Sequence, residues 1–100
     1  MGSFVFINGK VSAKISYAQT GNGAPVCSFQ MAADRVTRDR VITVWVKVNA
    51  YGQGLVDLCR KCLSQGTTVS VEGELMNRDG VMGELLEVRA RYLDFPCGRR

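Results

Sequence analysis

The stretch ITVWVKVNAYGQGLVDLCRKCLSQGTTVSVEGEL, residues 42–75, decides the fold. Its first nine residues alternate strictly. Ile42, Val44, Val46, Val48 and Ala50 are apolar, and Thr43, Trp45, Lys47 and Asn49 lie between them. A period of two predicts a strand with one face turned to a core. Leu55, Leu58, Cys59, Cys62 and Leu63 then recur at helical spacing, and Gly66 closes that segment. Period two returns with Val69, Val71, Gly73 and Leu75 inward, and Thr68, Ser70, Glu72 and Glu74 outward. The segment reads strand, helix, strand.

Working outward, two strands precede it. The first runs from Phe4 through Val11, Ala13 and Ile15 to Tyr17, with Gly9 marking a bulge or sharp bend. Thr20-Gly21-Asn22-Gly23-Ala24-Pro25 is a turn by composition. The second strand, Val26 to Arg35, puts Cys27, Phe29, Met31 and Ala33 on one face, and Thr37-Arg38-Asp39-Arg40 follows as a charged loop. After the segment, Asn77-Arg78-Asp79-Gly80 turns the chain into a fifth strand. That strand has Leu86, Val88, Ala90 and Tyr92 on one face and Glu87, Arg89 and Arg91 on the other. Five strands with one helix between the third and fourth predict an all-β, Greek-key OB-fold barrel. A ubiquitin-like roll places its helix after the second strand, and an SH3-like barrel has none at this point. Residues 1–100 make one domain, ordered over about 4–95, with a frayed tail at Pro96-Cys97-Gly98-Arg99-Arg100.

Composition narrows the function. The 100 residues are 46% hydrophobic and 22% charged, enough to bury a core. Thirteen Lys and Arg against nine Asp and Glu give a net charge of +4, which suits a polyanionic partner. There is no His, so Ser-His and Cys-His pairs and His-containing metal sites are excluded. The outward Glu72, Glu74, Glu84 and Glu87 read as solvated charge, and the Gly-rich turns lack a phosphate-loop lysine. The expectation is a binding protein without catalytic residues, cofactor or metal. No apolar run exceeds four residues, so no membrane partner is expected.

Cys59-Arg60-Lys61-Cys62 is a C-x-x-C whose thiols share the apolar helical stripe. Core packing is the reading taken, over a redox pair, which wants a helix N-terminus, and over zinc, which needs four ligands. Four Cys in 100 residues fall short of a disulfide scaffold, so free thiols in a reducing compartment are expected.

The positive signal is Trp45, on the polar face of its strand with Lys47, and Tyr51 just beyond the strand end. An exposed aromatic on a barrel face offers a base a stacking surface, and Arg35, Arg38, Arg40, Lys47 and Lys14 supply phosphate contacts. A subunit interface or minor core is the other role open to Trp45. Phe4, Val5 and Phe6 lie on a strand edge with few charges to block pairing, so they are the expected oligomer interface.

Over residues 4–95 the chain resembles the bacterial-type single-stranded DNA-binding proteins (SSB). The resemblance rests on Val5-Phe6-Ile7-Asn8-Gly9-Lys10-Val11, Phe29-Gln30-Met31-Ala32-Ala33-Asp34-Arg35, Thr43-Val44-Trp45 through Tyr51-Gly52, and Gly66 through Leu75. It implies stacking by Trp45 and Tyr51, and a homodimer, homotetramer or pairing with related OB-fold subunits. The chain departs from the family in Gln53 and Gln65, where Lys is usual, and in Arg38, Arg40, Arg78 and Asp79, which occupy neighbourhoods where aromatics are usual. The family's long loop between its last two strands is short here, and no acidic tail follows. These departures are similar to the OB-fold subunits of the kinetoplastid mitochondrial RNA-editing complex (editosome). That branch implies single-stranded RNA over DNA, an assembly role in RNA editing, and a mitochondrial location with the targeting segment removed. The SSB reading implies DNA replication or repair in a bacterial cytoplasm. A scaffold barrel that binds only proteins is the third reading.

Overall fold

A computed structural model describes residues 3–36, 38–78 and 85–100. Their order is β1 (Ser3–Val11), β2 (Ser16–Gln19), β3 (Pro25–Val36), β4 (Val41–Tyr51), α1 (Gln53–Cys62), β5 (Thr68–Arg78), β6 (Leu85–Phe95) and β7 (Gly98–Arg99). Pairing runs β1–β5–β6–β4–β3 and returns to β1 through Lys10↔Ala32 and Val11↔Met31. Five strands therefore close on themselves, with β4 and β6 parallel and the other pairs antiparallel. This is the OB-fold expected, with β2 and β7 as additions at its rims. No helix among the described residues is long and apolar enough to cross a membrane.

The alternation of β4 carries through to burial. Val46, Val48 and Ala50 are wholly buried beside Phe29, Met31, Val71, Val88 and Leu93, and Trp45, Lys47 and Tyr51 are exposed. Gly52, whose φ of 99° suits glycine, caps the start of helix α1, which lays Val56, Leu58, Cys59 and Cys62 on the core. Val56, absent from the predicted stripe, is among the most buried of them.

Several expectations need correction. The first strand stops at Val11 and resumes at Ser16 instead of running on to Tyr17. Gln30 O accepts from both the backbone N and the hydroxyl of Ser12, and Lys14 takes a left-handed φ of 63°. Lys14 thus stands in a turn, not in a strand. At Gly9 a Cβ would lie 2.5 Å from Ala32 O, so the glycine serves close strand approach. Asn77 and Arg78 continue β5, opposite Glu87 and Leu86. Residues 79 and 80 of the expected turn, and Glu84, lie outside the described residues.

The fifth strand was expected to point Tyr92 inward. Gly73 pairs with Ala90 but Glu72 with Tyr92, so Arg91 is one residue too many for its partner. That bulge reverses the facing: Leu93 and Phe95 enter the core and Tyr92 is exposed.

The tail is not frayed. Leu93 and Arg100 exchange backbone hydrogen bonds of 2.7 and 2.8 Å, and Phe95 pairs with Gly98. The turn brings Cys97 over the end of α1, where it forms a disulfide with Cys62 at a Cα–Cα distance of 5.9 Å. The expectation of four free thiols failed because it left Cys97 in a loose tail. Cys27 and Cys59 are free and buried, as core packing requires. The Cys59 thiol is pushed far up, first by its hydrogen bond with Cys27 and then by burial. Beside them the Tyr17 hydroxyl is raised to about 12, chiefly by burial, with the Arg60 guanidinium 4.2 Å above its ring.

Candidate functional site

The outward residues of β4 form the spine of the site. Trp45, Lys47, Asn49 and Tyr51 project from the barrel, because the intervening residues are claimed by the core. The registers then dictate their neighbours. On the β3 side, Trp45 faces Ala32, Lys47 faces Gln30, Asn49 faces Ser28 and Tyr51 faces Val26. On the β6 side, Trp45 faces Leu85, Lys47 faces Glu87 and Asn49 faces Arg89. Small residues such as Ala32 beside Trp45 leave the indole standing clear, 41% exposed.

Below the tryptophan the face becomes polar and fixed. Asn49 is only 7% exposed. Its Oδ1 accepts from the Ser28 hydroxyl at 2.8 Å, and its Nδ2 donates to Glu87 Oε2 at 2.7 Å. A buried amide satisfied on both ends holds its neighbours in place. At the end of the strand, the Arg89 guanidinium lies 5.0 Å from the centroid of the Tyr51 ring.

Beside this spine runs a groove of about 530 Å³ lined by Lys14, Ile15, Ser16, Ser28, Phe29, Gln30 and Lys47. The Ser12–Gln30 hydrogen bonds hold the turn that forms its outer wall, and they bring Lys14 to the same groove as Lys47. Two ammonium groups, two serine hydroxyls and a glutamine amide make a lining suited to an anionic, sugar-bearing chain.

Trp45, Tyr51, Lys47 and Lys14 are thus brought to one face. Arg38 and Arg40 are exposed in the β3–β4 connection, at the end of β4 away from Tyr51. The backbone of Arg35 is in β3, but its side chain lies outside the described residues. Phe4 and Phe6, each 63% exposed, belong to a different surface, on β1 across from Glu74 and Glu72 of β5. The guanidinium of Arg91 reaches within 5.8 Å of the Phe4 ring. Val5 points inward and packs against the core.

Asn49, Ser28, Gln30, Glu87 and Arg89 were not foreseen as site residues. In the sequence Glu87 and Arg89 are ordinary outward charges. Only the parallel pairing of β6 with β4, a pairing of residues about forty positions apart, sets them beside Lys47 and Asn49.

Residues 3–92 match the profile of the single-strand binding protein family. No match is found among curated protein sequences. Solved structures share the fold. A small single-stranded DNA-binding protein of Streptomyces coelicolor superposes with a TM-score of 0.77 at 19% identity, over 95% of this chain and 93% of that one. The Plasmodium falciparum SSB complex with ssDNA gives 0.75 at 24% identity, over 95% and 94% of the two chains. The mitochondrial single-stranded DNA-binding protein Rim1 of S. cerevisiae gives 0.75 at 16%, again over 95% and 94%.

Proposed function

The chain belongs to the single-strand binding protein family, and from that premise we propose that it binds single-stranded nucleic acid along the outer face of β4. Trp45 stacks one base and Tyr51, backed by Arg89, stacks another. Lys14 and Lys47 neutralise phosphates along the groove between them, and Arg38 and Arg40 extend the basic track past the other end of the strand. The observation that carries the reading is Trp45 itself, exposed on a barrel face whose neighbouring groove is lined by two lysines. The protein holds its ligand and has no catalytic role.

Single-stranded DNA is the first ligand of this reading, since the Plasmodium falciparum relative with the same fold is seen in complex with ssDNA. RNA within an editing assembly, in a mitochondrion, is the second. It is favoured by the paucity of stacking residues: among the described residues, Trp45 and Tyr51 are the aromatics exposed on this face. Matched dT and U oligomers titrated side by side separate the two.

Phosphate contacts are read from salt dependence. Each single-strand phosphate neutralised contributes about 0.7 to the slope of log K against log salt. Lys14→Ala combined with Lys47→Ala should therefore weaken binding and flatten the slope by about 1.4. An unchanged slope would place the phosphates elsewhere, and no binding by the parent protein would leave a scaffold barrel.

Assembly is proposed through β1. Among the described residues its pairing partner between Ser3 and Gly9 is β5, which leaves the second edge open. Phe4 and Phe6 extend that edge as an apolar strip, and a second copy or a related OB-fold subunit pairs there. Phe4→Lys with Phe6→Lys should halve the mass measured by light scattering or better. A parent protein that is already monomeric at high concentration would refute the interface.

A further inference from the structure

The carboxylate of Glu87 is out of place on a phosphate-binding face, where its charge repels the ligand backbone. It is nevertheless held there. Asn49, itself buried and fixed by Ser28, donates to Oε2 at 2.7 Å, leaving Oε1 with no hydrogen-bond partner among the described residues. Glu87 faces Lys47 across the β4–β6 pair, and Trp45 is the next outward residue along β4. Glu87 thus stands between the levels of Trp45 and Tyr51, with its carboxylate turned by Asn49 toward the Tyr51 end, facing the edge of a base held between the two rings.

Resting on the nucleic-acid reading above, we infer that Glu87 is a base-selecting residue, favouring pyrimidines with an exocyclic amino group over those with a carbonyl there. A fixed carboxylate oxygen accepts an N–H from cytosine N4. Uracil and thymine present O4 at that position, and their single edge donor, N3–H, is flanked by two carbonyl oxygens that face the carboxylate with lone pairs. The site is therefore selective, where a face offering only stacking and phosphate contacts would be indifferent to base. Glu87 needs the Asn49–Ser28 pair because a carboxylate free to rotate would turn into solvent and stop discriminating.

The test compares oligo-dC with oligo-dU of equal length, at neutral pH where cytosine is uncharged. These strands differ only at the base edge, without the thymine methyl. The parent protein should bind dC about tenfold more tightly, the discrimination of one hydrogen bond to a charged group. Glu87→Gln, isosteric and able to keep its bond to Asn49, offers an N–H to O4. It should bring the ratio to one or below chiefly by tightening binding to dU, which gains a donor and loses a repelling charge, while dC loses its charged hydrogen bond. Equal binding of dC and dU by the parent protein overturns the inference and leaves the nucleic-acid reading intact. A tenfold preference surviving in Glu87→Gln also overturns it, assigning selectivity to another group. Failure to bind either strand removes the reading on which it rests.

Discussion

Gly73→Ala is expected to destabilise the barrel by about 3 kcal/mol, the upper part of the range for overpacking a closed interior. For a domain of this size that lowers the melting temperature by roughly 12–24 °C. The cause is contact with backbone. An added Cβ would lie 2.2 Å from Arg89 O, 2.9 Å from Arg89 C and 3.0 Å from Ala90 Cα. A flexible side chain could swing away from such a contact, but a strand of a closed barrel moves only by straining its pairing on both sides. The clash also falls at the bulge where β6 carries its extra residue, so relief there would disturb the turn of Leu93 and Phe95 into the core. Gly21→Ala is the matched control. Nothing lies within 4 Å of its added Cβ, so its melting temperature should stay within a few degrees of the parent. A Gly73→Ala protein melting like the Gly21→Ala one would show that β5 and β6 are further apart than described.

The barrel was legible because its signals are local. Strict alternation from Ile42 to Ala50, the helical stripe after it and the return of alternation at Val69 each need only a short window, and their order selects the OB-fold. What escaped depends on distance along the chain. Tyr92 was assigned inward because alternation assumes an unbroken period, and the bulge at Arg91 breaks it. Cys97 was left free because nothing local in Pro96-Cys97-Gly98 tells that Arg100 returns to pair with Leu93. The site divides the same way. Trp45, Lys47 and Tyr51 lie on one strand, and their shared face follows from counting. Glu87 and Arg89 join them only through the β4–β6 pairing, and Lys14 only through the turn that Ser12 anchors to Gln30.

Trp45→Ala should cost about 1–3 kcal/mol of binding, a loss of roughly 5- to 150-fold. It should leave the salt slope unchanged, because the indole neutralises no phosphate. The fold should persist, since Trp45 is exposed and the residues on either side of it, Val44 and Val46, carry the packing of that part of β4. Loss of affinity with a steady slope is the signature of stacking. Loss with a flattened slope would mean that the substitution had displaced Lys47.

The chain holds one tryptophan, so its fluorescence reports on this position alone. The most direct measurement is a titration of the parent protein with mixed-sequence single-stranded DNA at low salt, following that fluorescence, with anisotropy of a labelled strand read in parallel for parent and Trp45→Ala. The account predicts saturable quenching in step with the anisotropy, reversal of both by added salt, and the 5- to 150-fold loss in the variant. Tight binding by anisotropy with unaltered tryptophan emission, and equal affinity in Trp45→Ala, would contradict it and move the ligand off the outer face of β4.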